Sequence, residues 1–206
     1  VMVIEVPDTD YGRIRISQFT AQTSRELRKG IQQLVDNGAK GIILDLRGNP
    51  GGLLSATVDV ASEFLTDGLV TYEVDSRGKK DEWKVKKGGH FPEIPMVTLV
   101  DNFSASGSEV LSGALQDQGR SVVIGTNTFG KGSVNLLRGL SNGGGVYLTI
   151  GRWFTPNGRL IEDVGIEPDV VVEYDAEALG ANPQTNEGGD PQVEAAIKQL
   201  DFQVLK

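Results

Sequence analysis

Three short runs, residues 41–46 (GIILDL), 96–100 (MVTLV) and 121–125 (SVVIG), are almost wholly apolar, and they constrain the fold more than any other feature. A strand with one wet face alternates apolar and polar residues, whereas a strand buried on both faces does not. Between these runs the apolar period changes to that of a helix. Leu27, Ile31, Leu34 and Val35 follow a Thr23–Glu26 capping-box pattern and stop at Gly38; Leu54, Val58, Ala61 and Leu65 mark a second helix; a third runs from about 106 to 118 and ends at Gly119. Buried strands alternating with helices imply an α/β domain with helices packed on a sheet.

The rest of the chain fits around that frame. Residues 11–19 alternate, with Ile14 and Ile16 on one face, and predict a strand. Residues 69–75 and 82–86 predict a hairpin around Arg77–Lys79, and residues 134–138 and 145–150 a second around Asn142–Gly143. Residues 159–162 and 169–174 predict edge strands. Residues 176–190 are polar and rich in Asn, Gly and Pro, which predicts a linker or loose loop. Asp190 and Pro191 then open a last helix with Val193, Ala196, Ile197 and Leu200 on one face. The expected organisation is a core domain at 1–175, a linker at 176–190 and a C-terminal helix at 191–206.

Composition removes several chemistries. Twenty Lys and Arg against 28 Asp and Glu give a net charge of −8, which disfavours phosphate backbones, so nucleic acid is not an expected partner. No apolar run approaches the length that spans a bilayer. With no cysteine, disulfides, thiol nucleophiles and thiolate metal sites are excluded. A single histidine, His90, excludes a multi-histidine metal site, and its setting in KKGGHFPEIP predicts a solvated loop residue.

What remains is DNFSASGSEV (101–110), where a buried strand gives way to a small-residue turn and a helix. A helix N-terminus presents free N–H groups that can hold a developing oxyanion, and Ser104, Ser106 and Ser108 all lie there. A serine at such a turn is also among the best helix N-caps. To act as a nucleophile it needs a base. With cysteine absent and histidine confined to His90, a Ser–Lys pair is the leading covalent arrangement. Lys131, between Gly130 and Gly132 after a buried strand, is the best-placed lysine. Flanking glycines let the backbone approach its neighbours and aim the side chain inward, where burial would favour the neutral amine a base requires. The stretch GTNTFGKGS (125–133) approaches a phosphate-binding P-loop, but Gly132 stands where the Ser or Thr belongs and strand-like sequence follows, so no nucleotide is expected. DLRGNPGG (45–52) serves equally as a strand-to-helix turn or as a backbone nest for an anion.

Taken together, GRIRISQF (12–19), GIILDLRGNPGGLL (41–54), VDNFSASGSEVLSGALQD (100–117), GTNTFGKGSV (125–134) and GRLIEDVGIEPDVVV (158–172) resemble the C-terminal processing peptidases, or tail-specific proteases, in content and order. The resemblance covers about residues 11–173. It implies a curved β-sheet core with flanking helices, of the crotonase and Clp-peptidase type, and a serine endopeptidase acting near protein C-termini through an acyl-enzyme. The family nucleophile lies about 25 residues before its lysine, which selects Ser106 as nucleophile and Lys131 as general base. Gly107 matches one oxyanion donor, and either Gly51 or Gly52 the other. Where the family commonly has a lysine-orienting Gln, this chain has Asn135, one methylene shorter. The resemblance further implies no metal or organic cofactor, protein substrates with exposed C-terminal tails, and a site of action outside the cytoplasm, in the bacterial envelope or periplasm or in the thylakoid lumen. Family members usually carry a PDZ domain N-terminal to these motifs, and this chain begins past the point where it would have ended. A non-catalytic peptide-binding module on the same fold is the competing reading.

Overall fold

A computed structural model describes residues 1–174 and 189–205. The chain runs β1 (Met2–Glu5), β2 (Tyr11–Arg15), α1 (Thr23–Asp36), β3 (Gly41–Asp45), α2 (Leu54–Phe64), β4 (Leu69–Asp75), β5 (Lys80–Lys84), β6 (Met96–Val100), α3 (Gly107–Asp117), β7 (Val122–Gly125), β8 (Ser133–Gly139), β9 (Gly145–Phe154), β10 (Val170–Val171) and α4 (Pro191–Val204).

Six strands form one sheet in the order β1-β2-β3-β6-β7-β10, and four form a second in the order β5-β4-β9-β8. In the first sheet only β1 runs antiparallel to its neighbour. Every residue of β3 and β6 is buried, as the apolar runs required. Ile42 and Leu44 pack with α1, α2 and α3 on one face, while Ile43, Val97 and Leu99 meet Val193, Ala196 and Leu200 of α4 on the other. The fold is thus α/β, a mixed sheet with flanking helices, and α4 is an integral layer of it.

Several expectations are corrected. The strand expected over 11–19 ends at Arg15, and β1, an edge strand, was not expected. The Thr23 hydroxyl does not cap α1; it accepts the Thr20 N–H at 2.9 Å, and the cap position belongs to Gln22. Residues 159–162 make one isolated bridge, Leu160 to Phe154, in place of a strand. The segment expected to be a linker falls almost wholly outside the described residues.

Because β3, β6 and β7 are parallel, their C-terminal ends open onto one edge of the sheet. The loops that leave there carry the NPGG motif, the serine turn and Lys131. In parallel α/β sheets this is the edge where ligand sites form.

Candidate active site

The three serines of the turn separate by what their hydroxyls hold. Ser104 is buried and donates to the Leu46 carbonyl at 2.9 Å, and Ser108 is buried and donates to the Asn49 carbonyl at 2.9 Å. Both are staples between the serine turn and the NPGG loop. Ser106 is half-buried and takes φ 52° and ψ −111°, a conformation costly for a residue with a Cβ. It forms a sharp strand-to-helix turn, a geometry that can expose a hydroxyl at the end of a sheet. Ser106 and Glu109 are paired as a capping box, but only its carboxylate arm is tight. The Ser106 N–H donates to Glu109 Oε2 at 2.7 Å. The Glu109 N–H is bonded to the Ser106 carbonyl at 2.9 Å, and the hydroxyl makes no cap bond of ordinary geometry.

Glu109 is the residue that sequence reasoning missed. Its side chain is fully buried and accepts four hydrogen bonds. Oε1 takes the Thr128 hydroxyl at 2.7 Å and the Gly130 N–H at 2.6 Å; Oε2 takes the N–H groups of Ser106 and Lys131 at 2.7 and 2.9 Å. One carboxylate therefore joins the serine turn to the lysine loop, at the N-terminus of α3 where the helix dipole favours negative charge. The spacing Ser106-x-x-Glu109 is that of a capping box, so the signal stood in the sequence.

Lys131 differs from expectation. Its side chain is exposed, and it makes no hydrogen bond to Ser106. The physical reason lies with the glycine beside it. A Cβ on Gly132 would stand 2.2 Å from the Glu162 nitrogen, so it is the backbone that is pressed against residues 161–162, and Lys131 itself stays exposed. After Lys131 the chain enters β8 and not a helix, so the P-loop likeness ends there. Asn135 sits at an irregularity in the β8–β9 pairing; its amide donates to Ser133 Oγ at 3.1 Å and accepts from Thr149 Oγ1 at 2.8 Å. Its hydrogen bonds do not reach Lys131.

The NPGG loop is held by Asn49, fully buried, which donates to the Ile16 carbonyl and accepts the Gly51 N–H, both at 2.8 Å. The Gly51 N–H is therefore committed. Those of Gly52 and Gly107 make no hydrogen bond among the described residues. Gly51 has φ 101°, and a Cβ there would stand 2.8 Å from the Ala105 oxygen, the Gly107 nitrogen and the Ser106 Cβ.

Behind this loop Asp45 is fully buried. It accepts from Arg13 Nε at 2.8 Å and from Arg47 Nε and Nη2 at 2.9 Å. Burial opposes its charge, but Arg47, then Arg13 and Arg15, outweigh it and hold the carboxyl at about 2. Arg47 also reaches α4, bonding Gln192 Oε1 and Asp190 Oδ2 at 2.9 Å each. His90 lies outside the site and is anchored, its Nδ1 2.8 Å from Glu63 Oε2.

Comparison with known proteins bears on this arrangement. The model of Peptidase family S41 matches residues 10–172. The carboxyl-terminal-processing protease of Synechocystis sp. is 39% identical over 194 residues, covering 94% of this chain and 44% of that protein. The carboxy-terminal processing protease CtpA of Bacillus subtilis is 37% identical over 170 residues, covering 82% of this chain and 36% of its own. The chain thus spans under half the length of the curated relatives it matches. Among solved structures, a photosystem II D1 C-terminal processing protease superposes with a TM-score of 0.77 at 36% identity, over 86% of this chain and 45% of that one. The tricorn protease, at 20% identity and a TM-score of 0.64, covers 96% of this chain and 18% of its own, and shares the fold.

Proposed function

The chain belongs to peptidase family S41, and on that premise we propose that it is a serine endopeptidase with Ser106 as nucleophile and Lys131 as general base, cleaving proteins near their C-termini. One observation carries the reading. Of three clustered serines, only Ser106 sits on a strained turn and leaves its hydroxyl unbonded to the NPGG loop, and a buried carboxylate ties it to the lysine loop.

In the proposed reaction the Ser106 Oγ attacks the scissile carbonyl carbon as its proton passes to Lys131 Nζ. The oxyanion is held by the N–H groups of Gly107 and Gly52, the two that the loops leave unbonded. Gly51 serves differently: its missing side chain keeps the approach to the Gly107 N–H open. Collapse breaks the C–N bond, the amine leaves with the proton from Lys131, and water then releases the acyl group from Ser106. Lys131 must turn inward for the first step, a tightening common when substrate fills a resting site. Asn135, held by Ser133 and Thr149, acts on the hairpin and not on the lysine. The relatives' names support protein substrates processed at their C-termini; a PDZ domain outside this chain and action outside the cytoplasm belong to the same proposal.

The missing Ser106–Lys131 hydrogen bond favours a second reading, a peptide-binding module without catalysis. A fluorophosphonate probe decides between them. Covalent labelling that disappears in Ser106→Ala supports the peptidase; a folded parent protein that never labels supports the module.

A further inference from the structure

β8 is the outermost strand of its sheet, and among the described residues its far edge pairs with nothing. A bare edge presents unpaired N–H and C=O groups and invites another strand, so proteins usually blunt it with charge, proline or cover. β8 reads SVNLLRG, with a single charge at Arg138. Leu136 and Leu137 are 48% and 69% exposed. Among the described residues, neither face of the outer part of the hairpin is covered. Leu136 opposes Leu148 and Arg138 opposes Val146 on one side; Leu137 opposes Tyr147 on the other; all of these apolar side chains are exposed. The edge also starts beside the candidate site. β8 begins two residues after Lys131, whose N–H shares Glu109 with the Ser106 turn.

We infer that the free edge of β8 is the docking site for the polypeptide on which the Ser106 site acts, which adds to the sheet as an extended strand carrying apolar side chains on both faces. This rests on the peptidase reading for what happens next, but not for the binding itself. Main-chain hydrogen bonds would supply affinity, and the leucines and Tyr147 the preference for apolar residues. Continuity of the edge with the lysine loop singles out substrate over a second copy of the chain, which would block that approach by pairing edge to edge. β8 has seven residues, so at about 3.3 Å each it guides roughly 23 Å of extended chain toward Ser106.

The test uses Ser106→Ala and a fluorescent apolar peptide of roughly ten residues, long enough to line β8. Each backbone nitrogen of the peptide is N-methylated in turn and binding is read by anisotropy. Strand addition requires weakening at every second position, on the order of tenfold, with the positions between unaffected, because alternate N–H groups face the edge. A flat or aperiodic profile overturns the inference, as does unchanged binding to a Leu137→Lys protein whose melting matches the parent. Cleavage by the parent keeps the two readings apart. Alternating binding without cleavage leaves the edge standing and removes the peptidase; cleavage without alternation does the reverse. Sedimentation closes the remaining case: a dimer that Leu137→Lys dissociates means a second copy holds the edge, and the inference fails.

Discussion

Ser106 and Lys131 share one oxygen: the backbone N–H groups of both donate to Oε2 of the buried Glu109, at 2.7 and 2.9 Å. The two residues on which the chemistry is proposed to rest are held in register through their backbones, so the joint between them is independent of where the lysine side chain points.

Glu109→Gln should break that joint. The amide turns its NH₂ toward backbone N–H donors where an acceptor is required, and buried donors are left unsatisfied. Thermal melts should show a loss of about 3 kcal/mol, with fluorophosphonate labelling of Ser106 falling by on the order of a hundredfold. Labelling at the parent rate in a folded Glu109→Gln protein would show that the carboxylate does not position Ser106.

The serine turn should separate chemistry from stability. Ser106→Ala should lose labelling and melt within about 1 kcal/mol of the parent, since the hydroxyl contributes no more than a weak capping-box contact to the Glu109 N–H. Ser104→Ala and Ser108→Ala should each cost about 1 kcal/mol, because each removes a buried hydroxyl bond between the serine turn and the NPGG loop, yet retain some labelling.

Lys131→Met should be inactive on peptides and stable to within about 0.5 kcal/mol, because the exposed side chain supports no packing. Peptide hydrolysis by Lys131→Met at the parent rate would remove the lysine from the reaction.

Gly51→Ala should be inactive as well. Its Cβ would strike the Ala105 oxygen and shadow the Gly107 N–H at 2.8 Å, at a φ of 101° that alanine resists. Gly143, also at positive φ but with open space around it, is the control: alanine there should cost about 1 kcal/mol and leave cleavage alone. Equal activity of the two variants in a peptide assay would mean that the Gly51 approach is not used.

Acid should weaken the fold through Asp45. Its carboxyl is depressed from 3.8 to about 2. A depressed carboxylate contributes its stability above the unfolded value and loses it as pH falls toward the folded one. About 2 kcal/mol should therefore disappear between roughly pH 4 and pH 2 in melts followed by circular dichroism. Asp45→Asn should lack that component and be less stable by about 3–5 kcal/mol at neutral pH, since it removes the buried carboxylate that Arg13 and Arg47 share.

How far the sequence could be read follows from where each signal lives. β3 and β6 were found to within a residue because full burial writes an unbroken apolar run. β1 was missed because an edge strand with exposed Met2 and half-buried Val3 writes no period. The glycines around Lys131 were read as turning the lysine inward, when Gly132 serves the close approach of the Glu162 backbone; the same residues fit both until the neighbour is known. Ser106 needed family spacing in the sequence, because the bonds that set Ser104 and Ser108 apart from it reach residues more than fifty positions away. The tie from Arg47 to Gln192, 145 residues apart, has no local signature at all.

That last contact carries a consequence for how such a protein is born. The loop bearing Gly51 and Gly52 is backed by Arg47, and Arg47 is fastened by Asp190 and Gln192 at the start of α4. On the ribosome the serine turn and the lysine loop emerge well before that fastening exists. A nascent chain halted ahead of Asp190 holds a cation with only part of its buried partnership, and the α4 face of β3 and β6 lies bare. Any reactivity of Ser106 that depends on this backing would then wait until α4 has emerged and docked; chains truncated before and after α4 should differ sharply in probe labelling.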